Sequence, residues 1–310
     1  MPVEKIGSSL DQLIALDAEL EWLVPTGLGF VDDDGYRTGA AEGPVWWDEL
    51  DSLVLTSMGR SLRYRWNDSD GLTVDREGTN GANGLTRDHL GRLISCEEHR
   101  RRVTRTEPDG SITVVADSYH GWRLNRPNDV VVRSDGTIYF TDPITLGVDS
   151  DLDFAGVYTV APDLGRIHCV VRDFVFPNGL CFSPNEKLLY INDSARRHIR
   201  VFDVGVYGND ALLDLSTDRV FCDMSSSELL GVPDGMKVDS AANVYCTGPG
   251  GVWIVAPSGE QVGIIRLPDG EFATNLCFGG PDRDMLYITT LDGLARIPVR
   301  TPGIKASSPA

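Results

Sequence analysis

The six cysteines never form a Cys-x-x-Cys pair, and none stands at zinc-module spacing from a histidine. That excludes the common zinc modules and a thioredoxin-type redox motif. Most of them lie in apolar, strand-like runs such as Asn178-Gly-Leu-Cys181-Phe, which reads as small buried hydrophobes in a reducing compartment. The chain does not open on a basic segment followed by an apolar run, and no stretch approaches ~18 consecutive apolar residues. This predicts a cytoplasmic protein without a membrane span. Positive charge is scarce: 28 Lys and Arg stand against 46 Asp and Glu, a net charge of −18. Such a surface repels nucleic-acid phosphates and anionic lipid but is compatible with cation binding. No Gly-x-Ser-x-Gly elbow is present, so a Ser-His-Asp hydrolase is not indicated. Gly248-Pro-Gly-Gly lacks the Lys-Ser/Thr of a phosphate loop and reads as a hairpin turn.

Turn-forming residues, by contrast, are abundant, with 33 Gly and 17 Pro. This load suits many short strands. One phrase recurs six times: a short polar residue beside Pro or Gly, an apolar strand, a polar turn and a second apolar strand. It starts at Glu42, Asn83, Asn128, Asn178, Asp234 and Asn275, a spacing of roughly 40 to 55 residues with room for two further strands in each interval. No apolar stripe of helical period fills these intervals. The pattern predicts an all-β chain, a six-bladed β-propeller with four-stranded antiparallel blades, as one domain over residues 1–310. The sixth unit offers only three strands of its own. A segment near Leu20–Val24 is expected to supply the fourth and close the ring. Residues 1–20 are expected to form an N-terminal arm with a short helix capped by Ser8 or Ser9. A turn-rich loop is expected over 32–36 and a loose tail over 301–310.

The first residue of every phrase carries a side-chain carbonyl or carboxylate oxygen. Equivalent positions of propeller blades face one common axis, so six oxygen donors converge there. Oxygen ligands converging on a point describe a hard-cation site, and no Cys or His stands among them. Asn-Gly and Pro-Asp-Gly are also ordinary turn signals, so each motif taken alone is as readily a strand cap.

Glu42-Gly-Pro-Val-Trp, Arg126-Pro-Asn128-Asp129-Val, Pro177-Asn178-Gly-Leu and Pro233-Asp234-Gly-Met together resemble the SMP-30/gluconolactonase/LRE-like family over about residues 40 to 300. The resemblance implies a six-bladed propeller holding one divalent cation, calcium foremost with zinc, manganese or magnesium as alternatives. It implies Glu42, Asn178 and Asp234 as ligands with Asn128 at or next to the cation, and Arg126 in contact with substrate. Two places depart from the family pattern. Glu97-Glu98-His99 stands where many relatives read Glu-His-Gly, and Thr56-Ser57-Met58 where they often read Ser-Asp-Ile. Both are expected near the pocket mouth and bear on specificity.

The activity expected is hydrolytic opening of a small-molecule lactone, with the cation polarising the carbonyl and a carboxylate, Asp234 or Asp129, taking a proton from water. A cation-bound carboxylate is a weak base, which favours Asp129, whereas the family match favours Asp234. Asn83, Asn128, Trp122 and His120 are further candidates for contacting substrate. Alternatives are a phosphotriester hydrolase on the same site and a non-catalytic calcium-binding propeller. The chain is expected to act as a monomer or dimer.

Overall fold

The computed structural model describes residues 1–31, 37–145, 147–207 and 210–304. The loop expected over 32–36 and most of the tail expected over 301–310 lie outside the described residues.

Six four-stranded antiparallel sheets are formed in chain order, and each turns the inner strand of a blade toward the next blade's inner strand until the sixth meets the first. Blade 1 comprises Ala41–Trp47, Ser52–Ser57, Leu62–Asn67 and Gly71–Glu77. Blade 2 begins at Ala82–Arg87, blade 3 at Val130–Val132, blade 4 at Pro177–Phe182, blade 5 at Met236–Val238 and blade 6 at Ala273–Gly279. The second strands of blades 3 to 6 each bury one tyrosine at the same station, Tyr139, Tyr190, Tyr245 and Tyr287. Apolar residues on both faces of each sheet pack into the crevices between neighbours, giving one core cluster for each of the six inter-blade contacts. The crevice between blades 1 and 2 is the smallest, built on Val54, Leu85 and Leu93. Arg87 reinforces it by stacking over Trp47 at 4.7 Å from the ring centre.

Glu21–Val24 pairs antiparallel with Leu294–Pro298 and supplies the missing outer strand of blade 6, as expected from the three-strand sixth unit. The arm before it holds an element not foreseen. Val3–Lys5 adds a fifth strand to blade 5, against Gln261–Arg266. Between the two strands the helix is only four residues long, Leu10–Leu13. Ser9 occupies its cap position without making a side-chain cap hydrogen bond. Leu10, Leu13 and Ile14 are buried instead in the crevice between blades 5 and 6, so apolar burial holds this turn where capping does not. All six cysteines are free and five are buried. Among the described residues no helix is long and apolar enough to cross a membrane.

Candidate axial site

The polar residues that open each phrase are not in turns. Glu42, Asn83, Asn178 and Asn275 lie within inner strands, and at each the pairing with the second strand slips at a bulge. A bulge twists the strand and re-aims one side chain, here at the entrance of the axial channel. The glycine after Glu42, Asn83, Asn178 and Asp234 answers a different need from a turn. A Cβ at Gly43, Gly84, Gly179 or Gly235 would collide with the backbone or side chain of the next blade's inner strand. Hydroxyl and amide groups of second strands fasten the neighbouring inner strand there. Thr56 Oγ1 donates to the Asn83 carbonyl at 2.9 Å, Thr141 Oγ1 to that of Asn178 at 2.8 Å, and Asn192 Nδ2 to that of Asp234 at 2.5 Å.

The sixth blade breaks the expected register by one residue. The Gly84 N–H donates to Asn128 O, and the Gly235 N–H to Thr274 O, both at 2.8 Å. Thr274, not Asn275, therefore occupies the station that Asn128 holds in blade 3. Asn275 matches Asp129 instead. Each accepts the following N–H through Oδ1, Val130 at 2.9 Å and Leu276 at 2.8 Å, and each donates its own N–H to a threonine hydroxyl at 3.1 Å. These two side chains fill the space left by Gly84 and Gly235, in blades on opposite sides of the axis. The sequence pattern points to the wrong residue because Thr274 and Asn275 are adjacent polar residues and only Asn fits an oxygen-ligand series.

The axial side chains form one network. Asn275 hydrogen-bonds Glu42, and Asn178 hydrogen-bonds Asp234. Asn178 Nδ2 also donates to Ser194 Oγ at 3.1 Å. Glu42, Asn83, Asn128, Asp129, Asn178 and Asn275 are all buried, whereas Asp234 is half-buried. Burial lifts the Glu42 carboxyl to about 8, and the charges of Asp129 and Glu98 push the same way against the hydrogen bonds from Asn275 and Gly43. Asp234 is raised well above the ordinary carboxylate range by burial, then by the charges of Glu42, Asp129 and Glu98. Asp129 is raised by burial and opposed by the charge of Lys237 and the amides of Val130 and Leu180. Its Oδ2 is buried without a hydrogen-bond partner among the described residues.

Glu98 stands out in the sequence only as a departure, but it belongs to this network. Its Oε1 accepts from Asn83 Nδ2 at 2.9 Å, and its Oε2 lies 3.9 Å from Arg126 Nη1. Lys237 carries no signal in the sequence. It is a lone lysine in an inner strand, which the alternation of apolar and polar residues does not distinguish from a solvated one. Trp122 and His120 lie on the small hairpin Ser118–Tyr119/Trp122–Arg123 between blades 2 and 3, Trp122 being 60% exposed and His120 at the tip with φ 53°. Their described contacts run within the hairpin, not to the axial residues. Beyond the network, residues two to four places further along the inner strands surround a cavity of about 510 Å³ toward the opposite end of the axis. Trp46 lines that cavity and stacks on Tyr287 at 5.6 Å.

No group of three or more His, Cys, Asp or Glu forms a metal cluster among the described residues. The axial donor set is of another kind, two carboxylates with carboxamides. Its chemistry fits a hard divalent cation, because neighbouring carboxylates that repel one another, set among carboxamide oxygens, call for positive charge nearby.

The chain is thus a six-bladed propeller that gathers carboxylates and carboxamides from its inner strands into one polar centre. The chain belongs to the SMP-30/gluconolactonase/LRE-like family, whose model matches residues 40–292. It is 30% identical over 288 residues to a gluconolactonase of Zymomonas mobilis, covering 85% of this chain and 79% of that protein. It is 28% identical over 271 residues to regucalcin of Danio rerio, covering 82% and 83%. The solved structure of a gluconolactonase from Xanthomonas campestris superposes with a TM-score of 0.81 at 29% identity, covering 96% of this chain and 95% of that one.

Proposed function

We propose that this protein hydrolyses a small-molecule lactone at the axial network, with a divalent cation, calcium foremost, held by Glu42, Asn178 and Asp234 and with Asn128 beside it. The observation that carries the reading is the hydrogen-bonded, mutually repelling carboxylate and carboxamide network at the axis, in a chain similar to two gluconolactonases. When bound, the cation supplies Lewis acidity toward the lactone carbonyl and the oxyanion that follows.

The chain's own groups do the rest. Asp234 is half-buried where Glu42 and Asp129 are closed from solvent, so of these three it is the one that water can reach, and it takes a proton as the water oxygen attacks the carbonyl carbon. Collapse of the tetrahedral intermediate breaks the ring C–O bond, and that proton passes to the departing ring oxygen, leaving a hydroxy acid. Asp129, closed from solvent, acts on Asp234 through its charge. Arg126, Asn128 and Asn83 orient the substrate. Trp122 and His120, on the hairpin outside the network, form the outer approach.

The test is a panel of lactones assayed after chelation and after adding back calcium, zinc, manganese or magnesium. Turnover should vanish on chelation and return with cation. Turnover indifferent to chelator removes the cation from the scheme. Calcium binding without turnover of any lactone makes the chain a binding propeller.

A further inference from the structure

Glu98 borders the axial site, bound to Asn83 and acting by its charge on Glu42 and Asp234. It starts the 3-10 turn Glu98–Arg100 at the end of the second strand of blade 2, and its side chain is only 14% exposed. Arg126, in the connection leading to blade 3, is 29% exposed. Among the described residues its guanidinium has no closer carboxylate than Glu98 Oε2, at 3.9 Å. An uncompensated guanidinium at a channel mouth is a receptor for carboxylate or phosphate. Here Glu98 faces it, and Asn83 fixes the carboxylate through Oε1.

The charges around this end of the channel can be followed group by group. Four carboxylates stand there: Glu42, Glu98, Asp129 and Asp234. Two cations act on them, Arg126 at this end and Lys237 from the cavity beyond the network. Of the adjacent acids, Glu97 pairs with Arg102 at 2.8 Å, and Asp142 shares the charge of Arg101 with Asp151, which lies 3.0 Å from that guanidinium. With all four ionised, these carboxylates outnumber the two cations by two, the charge of one divalent cation.

Resting on the lactone-hydrolase reading, we propose that Glu98 is a specificity-determining residue. By masking Arg126 and closing the charge balance of the cation-loaded site, it selects lactones with no second charged group over those bearing a carboxylate or phosphate. An anionic substituent brought to the mouth meets the Glu98 carboxylate in an enclosed region that screens charge far less than water does. The hydroxy acid formed by ring opening is itself an anion, so the same carboxylate favours its release.

The experiment uses the full chain with calcium and two lactams, which keep the ring carbonyl but resist hydrolysis: one with hydroxyl substituents only, the other with a carboxylate replacing the terminal hydroxymethyl. Calorimetry should show the wild type binding the neutral lactam about tenfold or more tightly than the anionic one. Glu98→Gln, which keeps the size and a hydrogen-bonding end, should bring the ratio to about threefold or below, and Glu98→Gln with Arg126→Gln should not invert it. Turnover of a neutral lactone is measured in parallel. A ratio that stays put in Glu98→Gln, or equal weakening of both lactams, overturns the inference and leaves the hydrolase reading intact. Discrimination between lactams without turnover of any lactone supports the role of Glu98 and removes the hydrolase. Failure of wild type to bind either lactam overturns the inference.

Discussion

The charge of Glu42 in blade 1 is, after burial, the largest cause holding the Asp234 carboxyl in blade 5 above its ordinary range. Two acids from different blades are thus forced together by the ring. Without a cation their ionisation opposes folding.

Stability without divalent cation should therefore fall as pH rises. The Glu42 carboxyl moves from 4.5 unfolded to about 8 folded, and Asp234 moves up from 3.8. A raised carboxyl pKa contributes stability that is fully present below the unfolded value and is lost as pH rises through the folded one. The window is about pH 5 to 8. Asp142, raised to about 7, adds in the same sense, and His198, lowered by burial, opposes it. Urea unfolding in chelator should give a midpoint that drops across this window, and calcium should flatten most of the drop. A midpoint independent of pH in chelator contradicts the repulsion.

Glu42→Gln should separate two properties that usually move together. Removing one of two repelling buried carboxylates should raise the melting temperature of the cation-free protein by a few degrees. Calcium affinity should fall at least about tenfold, because a charged oxygen ligand is lost. Calorimetric titration and a melt in chelator read both. Loss of stability in chelator shows that Glu42 is held by favourable contacts that outweigh the repulsion.

Asp234→Asn and Asp129→Asn should differ in kind. With Asp234 as both ligand and base, its amide variant should lose at least about a thousandfold in kcat and bind calcium more weakly. Asp129 acts through charge, so Asp129→Asn should cost about tenfold in kcat and shift the acid limb of the pH-rate profile to lower pH. Calcium affinity should change less. Measuring kcat against pH for both at saturating calcium decides it, and the larger loss in Asp129→Asn would make that residue the base.

Much of this arrangement is written in the sequence, though unevenly. Six phrases mark the blades because each repeats a strand-turn-strand signal, and the three-strand sixth unit points to Glu21–Val24. Val3–Lys5 is not legible, since a three-residue edge strand carries too little alternation to register and is fixed by the exposed edge of blade 5. The linear pattern puts Asn275 one station early because the shift is a property of inter-blade hydrogen bonds, which such a pattern does not contain. Glu98 and Lys237 join the site through neighbouring blades, so their roles depend on closure of the ring. The Asn-Gly and Asp-Gly pairs look like turns, yet their glycines are there because the next blade leaves no room for a Cβ.

That crowding gives a prediction about Gly235. A Cβ there would strike the carboxamide and backbone of Asn275, and this residue hydrogen-bonds Glu42. Gly235→Ala should destabilise the protein by about 2 kcal/mol or more, the scale of overpacking in a closed interior. It should also weaken calcium binding, because displaced Asn275 no longer steadies Glu42. Gly235→Ala combined with Asn275→Ala removes the clash with the carboxamide but not that with the backbone of residue 275, nor the lost hydrogen bond. The double variant should recover part of the stability while calcium affinity stays low. Unfolding curves and calcium titrations on the three proteins measure the two effects separately. Recovery of both together would mean that Asn275 only fills space, and recovery of neither that the backbone of blade 6, rather than its side chain, sets the distance between blades 5 and 6.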